Sequence, residues 1–132
     1  MLSVFSIVKK RLSEKLQTQE GAPYSQETLH IISTKNGTPT EFPALNVDSL
    51  GELSTADCLK GNKQSAIIST IELKAYADDT QEKAREILDK AGDVMLSMGY
   101  GVIQGPEDIS NEINIISARF RRTVSGIEIK NL

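Results

Sequence analysis

The chain has 132 residues, the length of a single domain (1–132) with one modest core. Its formal net charge of -3 and its 25% of charged residues exclude a strongly basic nucleic-acid-binding domain. The single cysteine, Cys58, excludes an intrachain disulfide, and the absence of tryptophan with only 5% aromatic residues requires an aliphatic core.

The N-terminal segment is predicted to form an amphipathic helix over residues 2–18. Its apolar face carries Phe5, Val8, Leu12 and Leu16. The other side carries mostly positive charge, from Lys9, Lys10, Arg11 and Lys15 against Glu14. This basic side is either a solvated face that suits the helix dipole or a contact with an acidic partner. Because the basic residues follow the apolar ones, the segment is not a signal peptide, and no stretch reaches the ~18 apolar residues of a membrane span. We therefore expect synthesis in the cytoplasm and no membrane partner.

Two short strands are predicted next, at 28–34 and 42–48. The Asn36-Gly37 pair between them is typical of a tight turn, so the two strands are predicted to form a β-hairpin. Pro43 places the second strand at an edge or at its own beginning. Residues 49–64 lack a clear period and are predicted to be a long loop. This loop is either an interaction segment that orders on assembly or a plain connection.

The central part of the chain is predicted to be a strand over 65–76 followed by a long helix. Alternation places Ile71, Leu73 and Ala75 on one face of the strand and Glu72, Lys74 and Tyr76 on the other. In the helix, steps of three and four align Ala84, Ile87, Leu88, Ala91, Val94, Met95 and Met98. Asp79 is the predicted N-cap, with Glu82 completing a capping box, and Gly99 is expected to end the helix in a left-handed conformation.

The last part is predicted to contain a short strand over 100–104, a turn at Gly105-Pro106 and a long strand over 113–124. Alternation in the long strand separates a core face from a polar one. The core face has Ile116, Ala118, Phe120 and Val124, and the other has Ile113, Ile115, Ser117, Arg119, Arg121 and Thr123. Residues 125–132 form a C-terminal extension, in which 127–130 alternate again and either extend the sheet or pair with a neighbouring chain.

The resulting order, α-β-β-β-α-β-β, predicts an α+β two-layer sandwich. Two helices cover one face of a mostly antiparallel sheet, and the other face stays open. The candidate subunit or partner interface is this open face, with Glu72, Lys74, Tyr76, Arg119 and Arg121. Ile68, Ile113 and Ile115 lie on the same side, and a mixed apolar and charged face is typical of a protein contact surface. Glu72 or Asp79 of one copy could meet Arg119 or Arg121 of the next.

The sequence offers no set of residues with a recognisable chemistry. His30 is the only histidine and lies in a predicted strand, and Cys58 has no second cysteine for a metal site. Gly99-Tyr100-Gly101 lacks the third glycine of a dinucleotide fingerprint and follows a helix instead of a strand. We therefore expect no catalytic residue, no metal and no cofactor. The Arg119–Arg122 cluster is interpreted as a salt-bridged surface, so sequence-specific nucleic-acid binding is not expected.

Three stretches resemble the tail-terminator (tail-completion) proteins of long-tailed bacteriophages. They are Phe42-Pro43 opening a strand, the run IISTIELKAYADDTQEKAREILDKAGDVMLSMGYGVI, and the strand ISARFRRTV. The resemblance extends from Phe42 to Val124, and the loop at 49–64 and the residues after Val124 depart from the family pattern. Other small head–tail joining proteins share the pattern loosely. The resemblance implies an α+β sandwich without catalytic residues.

The resemblance further implies a structural protein of the virion tail or neck. It implies a hexameric ring that caps the finished tail tube and presents a surface to the head. The implied partners are further copies of the chain, the tail tube protein, and a head-completion or connector protein. One alternative is a small monomeric α+β binding module, or a host regulatory protein, that acts through a sheet edge or the open sheet face. An enzyme is a third and more distant alternative.

Overall fold

The computed structural model describes residues 4–25, 28–33, 39, 41–54, 66–110 and 113–125. The elements follow the predicted order α-β-β-β-α-β-β, with a π-helical turn, Glu14–Thr18, continuing the first helix. They are α1 (Val4–Ser13), β1 (His30–Ile32), β2 (Ala44–Ser54), β3 (Ala66–Ala77), α2 (Gln81–Ser97), β4 (Gly101–Asp108) and β5 (Asn114–Ser125).

The five strands form one mixed, mostly antiparallel sheet in the order β1-β2-β3-β5-β4. β1 pairs with β2 in parallel, and the other pairs are antiparallel. α1 packs on β2 and β3, whereas α2 packs on β3, β5 and β4. The two helices thus lie side by side on one face, and the predicted α+β two-layer sandwich is confirmed.

The core lies between the helices and the sheet, where the periodicities of the sequence predict it. The inward residues of β3 (Ile71, Leu73 and Ala75) are fully buried, together with Ile87 and Met95 of α2. α1 and the π-helical turn contribute Val8, Leu12 and Leu16 to the same cluster. Burying each large aliphatic side chain contributes roughly 1.5–3 kcal/mol, so this interface dominates the stability of the fold.

The predicted β-hairpin is wrong, because β1 and β2 run parallel. His30 lies opposite Ala44 and Ile32 lies opposite Asn46, and the His30 amide donates to the Pro43 carbonyl at 3.0 Å. A tight turn would reverse the chain, whereas parallel pairing needs a connection of about a dozen residues that returns to the start of the first strand. The Asn36-Gly37 pair of the predicted turn lies outside the described residues. Pro43 directly precedes β2, as predicted.

The predicted loop at 49–64 is wrong for its first part, because residues 49–54 continue β2. The pairing with β3 extends to Ser54, which lies opposite Ile67. The register shifts between Ser49 and Gly51, and Gly51 has a φ of 153°. This β-bulge interrupts the alternation of side chains, which explains why the sequence shows no strand period there. The remainder of the predicted loop, 55–64, lies outside the described residues.

The ends of α2 agree with the prediction at one terminus and differ at the other. Gly99 has a φ of 89° and ends the helix as predicted. The N-cap is Thr80, not Asp79, because the Thr80 hydroxyl accepts a hydrogen bond from the Lys83 amide at 3.3 Å. The Asp79 carboxylate instead accepts one from the Thr80 amide at 2.7 Å.

The predicted turn at Gly105-Pro106 is also wrong, because β4 continues through both residues to Asp108. The strand changes register against β5 after Val102 and again after Gln104. An edge position tolerates Pro106 because its missing amide hydrogen is not needed by a second neighbour. Residues 126–132, including the predicted strand at 127–130, lie outside the described residues. No helix within the described ranges is long and apolar enough to cross a membrane.

Candidate interaction surface

The sheet face opposite the helices carries a network of charged side chains on β3 and β5. Glu72 lies directly opposite Arg119 in the register of the two strands. The Arg119 Nε donates to Glu72 Oε2 at 2.9 Å, and the Lys74 Nζ lies 3.5 Å from Glu72 Oε1. The Glu72 side chain is only 11% exposed, whereas Arg119 is 44% exposed. Two cations therefore compensate the partial desolvation of one carboxylate, and the guanidinium remains accessible to solvent.

Arg121 lies one step further along β5 on the same face. It is exposed, and its Nε donates to the Thr70 hydroxyl at 3.4 Å. Arg119 and Arg121 line a shallow cleft together with Leu50, Gly51, Ile68, Thr70, Ile103 and Gln104. Leu50 and Ile103 are 44% and 47% exposed. The cleft therefore combines two arginines with two accessible aliphatic side chains.

Leu50 and Ile103 are absent from the residues predicted for this surface. Each lies beside a shift of strand register, at Ser49–Gly51 in β2 and at Val102–Gln104 in β4. Alternation indicates the face of a side chain only where the register is continuous. The signal in the sequence is an apolar residue close to glycine, since Leu50 directly precedes Gly51 and Ile103 lies two residues from Gly101 and from Gly105.

Tyr76 differs from the other predicted interface residues because it is only 6% exposed. It lies on the open side of the sheet, opposite Ala44 on β2 and Ile115 on β5. Phe42 and Ile113 pack against these residues in a second, smaller apolar cluster. Side chains on the neighbouring strands cover its ring, and its prediction as an interface residue stays a prediction.

The ion pairs suggested between neighbouring copies find their partners within the chain. Glu72 pairs with Arg119 of the same sheet. Asp79 lies 3.9 Å from Lys83, one turn along α2. The structure thus brings together Glu72, Lys74 and Arg119, places Arg121 beside them, and separates Tyr76 and Asp79 from the network.

A second accessible surface, the α2–β4 groove, lies on the helix side of the sheet at its β4 edge. Leu96 and Val102 line it and are 52% and 48% exposed. Asp89 and Asp93, both exposed residues of α2, also line it. The remaining lining residues are Leu88, Gly92, Pro106, Ala118 and Phe120.

At the end of β4, hydrogen bonds from Ser110 hold the pKa of Asp108 below its usual value, so this edge remains negative in mildly acidic solution.

A third surface, the α1 depression, lies on the outer side of the first helix. It is lined by Phe5, Ser6, Lys9, Lys10, Ser13 and Glu14. Lys10 is exposed and Lys9 is half-buried. The basic side that the sequence predicts for this helix is therefore accessible.

Of the two residues considered for chemistry, the structure describes His30 alone. His30 Nδ1 lies 3.1 Å from the exposed Glu41 carboxylate, and Cys58 lies outside the described residues. Within the described ranges, no three His, Cys, Asp or Glu side chains are grouped to hold a metal ion.

Tyr24 packs against α2, where burial and the nearby Glu86 carboxylate raise its pKa to about 12. Its ring lies 5.7 Å from the Lys90 ammonium, which is a packing contact between the helix layer and the segment after α1.

Comparison with known proteins does not assign the chain. No protein-family model matches it, and a search of the curated proteins finds no match.

Proposed function

We propose that this chain is a structural assembly protein of a long-tailed bacteriophage. In this proposal it caps the finished tail tube as a hexameric ring and forms part of the head–tail junction in the virion. The supporting observation is the agreement between the observed α+β sandwich and the fold that the sequence resemblance implies. The resembling stretches include most of β3, all of α2, most of β5 and the first residues of β4, and these elements contribute to the core from both layers. The protein acts by binding and not by catalysis.

The mechanism is complementarity of shape and charge at accessible surfaces. The open face presents the arginines Arg119 and Arg121 beside Leu50 and Ile103. Apolar contacts contribute binding free energy, whereas the guanidinium groups select an acidic or carbonyl-rich partner surface. In a ring, an accessible surface of one copy contacts the next copy, and loops at one end of the sandwich contact the tube. The next component, a head-completion or connector protein, binds the opposite end.

The first test is the oligomeric state and tube binding of the purified chain. We expect light scattering and negative-stain microscopy to show rings of about six copies, since closed rings arise from a repeated head-to-tail contact. Tubes assembled from the tail tube protein of the same phage should bind one ring at an end and stop elongating. A chain that stays monomeric at high concentration and leaves tube growth unchanged would contradict the proposal.

A further inference from the structure

The two ends of the helix layer carry opposite charge. α1 lies toward the β1 edge and presents Lys9 and Lys10 beside Phe5. α2 lies toward the β4 edge and presents Asp89 and Asp93 beside Leu96 and Val102. The α2–β4 groove thus combines apolar surface with negative charge, and the α1 depression combines Phe5 with two lysines against Glu14, so the net charges of the two surfaces are complementary.

We infer that the α2–β4 groove of one copy binds the α1 depression of the next. The groove offers accessible Leu96 and Val102, which are among the most exposed large apolar side chains of the described residues. Val102 lies opposite Phe120 in the sheet register, so it faces the helix layer and not the open face. Exposed apolar surface of this kind is removed from water when a partner binds.

Charge identifies the occupant as a second copy of this chain. The acidic groove requires a basic partner surface with apolar residues, and α1 supplies both. The whole chain has a net charge of -3, so two copies repel each other unless local charges of opposite sign meet. Contact between α1 and the groove brings those charges together.

The positions of the two surfaces determine the kind of assembly. They lie at opposite ends of the helix layer, so a copy that uses both contacts two neighbours. Such a head-to-tail contact closes into a ring or continues as a filament, whereas a two-fold contact stops at a dimer. This inference rests on the proposed ring function for closure, but the contact itself is defined by the two surfaces.

Reversal of the charges on one surface at a time provides the test. The variants are K9E/K10E on α1 and D89K/D93K on α2. Either variant places like charges across the contact, and we expect self-association to weaken roughly a hundredfold. Thermal unfolding and circular dichroism check that each variant remains folded.

Complementation separates this contact from a general loss of charge. In an equimolar mixture, the unchanged α1 of D89K/D93K can bind the unchanged groove of K9E/K10E. The reversed α1 of K9E/K10E can likewise bind the reversed groove of D89K/D93K. We therefore expect the mixture to assemble into complexes with alternating copies, as measured by native mass spectrometry. One chain with all four substitutions should also assemble. The matched control E20K/D78K changes the net charge as D89K/D93K does, at exposed carboxylates outside the groove, and should assemble like the wild type.

The outcomes distinguish this inference from the proposed function. Rings that persist in both single-surface variants overturn the inference and leave the ring proposal intact. Dimers or filaments that the variants abolish and the mixture restores support the inference and contradict a closed ring. A wild-type chain that stays monomeric overturns both.

Discussion

At the scale of single residues, the Glu72 carboxylate is the most constrained group of the open face. It is nearly enclosed, and two cations from two strands lie within ion-pair distance. Because Glu72 is desolvated and Arg119 is not, loss of the guanidinium leaves a buried charge with a weaker partner. Arg119 therefore supports the fold and remains accessible to a partner.

Substitution of Arg119 should reveal this structural contribution. We expect R119A to lower the free energy of unfolding by about 1 kcal/mol, with Lys74 partly compensating Glu72. The control is R121A, which removes only a long, exposed hydrogen bond and should remain within about 0.5 kcal/mol of the wild type. Urea denaturation measures both. Equal effects of the two substitutions would contradict the assigned role of Glu72.

At the scale of elements, periodicity predicts the fold wherever the register is continuous. The strict alternation of β3 from Ile71 on and the three-and-four spacing of α2 correctly predict the core, because the residues of these two patterns pack in one cluster. β2 and β4 are predicted too short, since their bulges displace side chains from the alternating pattern. The parallel pairing of β1 with β2 joins separate segments of the chain, and local sequence does not determine the direction of such a pairing.

The residues of the open face are likewise predicted correctly where the strands are regular and missed where they are bulged. Glu72, Lys74 and Arg119 are correctly predicted to share a face, because they lie in regular parts of β3 and β5. Leu50 and Ile103 are missed at the bulges. The accessibility of Tyr76 could not be predicted, because it depends on Ala44 and Ile115 from two other strands.

Gly105 provides a test of the bulge in β4. Its φ is 86°, and a Cβ at this position would lie 2.6 Å from the Ser117 carbonyl oxygen. We expect G105A to destabilise the protein by about 2 kcal/mol or more, through the left-handed backbone and this contact.

The matched control is G101A in the same strand, where an added Cβ meets no atom within 4 Å. It should be neutral or stabilising by up to about 1 kcal/mol. Thermal unfolding compares the two, and similar values would contradict the bulged geometry.

At the scale of the whole molecule, the charge distribution matters more than the net charge. A small negative total conceals a basic end at α1 and an acidic end at α2 and β4. Salt screens such charges, since the Debye length falls from about 10 Å at 0.1 M to about 3 Å at 1 M. The apolar part of the contact does not depend on charge and remains.

Self-association of the wild-type chain should therefore weaken as sodium chloride rises from about 0.1 M to about 1 M. Light scattering at fixed protein concentration measures the change. The control is a chain with K9Q, K10Q, D89N and D93N, which retains the apolar residues and should show a much smaller salt dependence. Association of the wild type that strengthens with salt would indicate a contact driven by apolar surface alone.

The irregular β4 has a consequence for behaviour at high concentration. The two edges of the described sheet are β1, with three residues, and β4, which contains two register shifts, Pro106 and the acidic pair Glu107 and Asp108. Short, bulged, proline-containing and charged edges are poor templates for adding a further strand. The β4 edge therefore does not favour backbone pairing with another copy, and association at this edge is left to side-chain surfaces that can be selective.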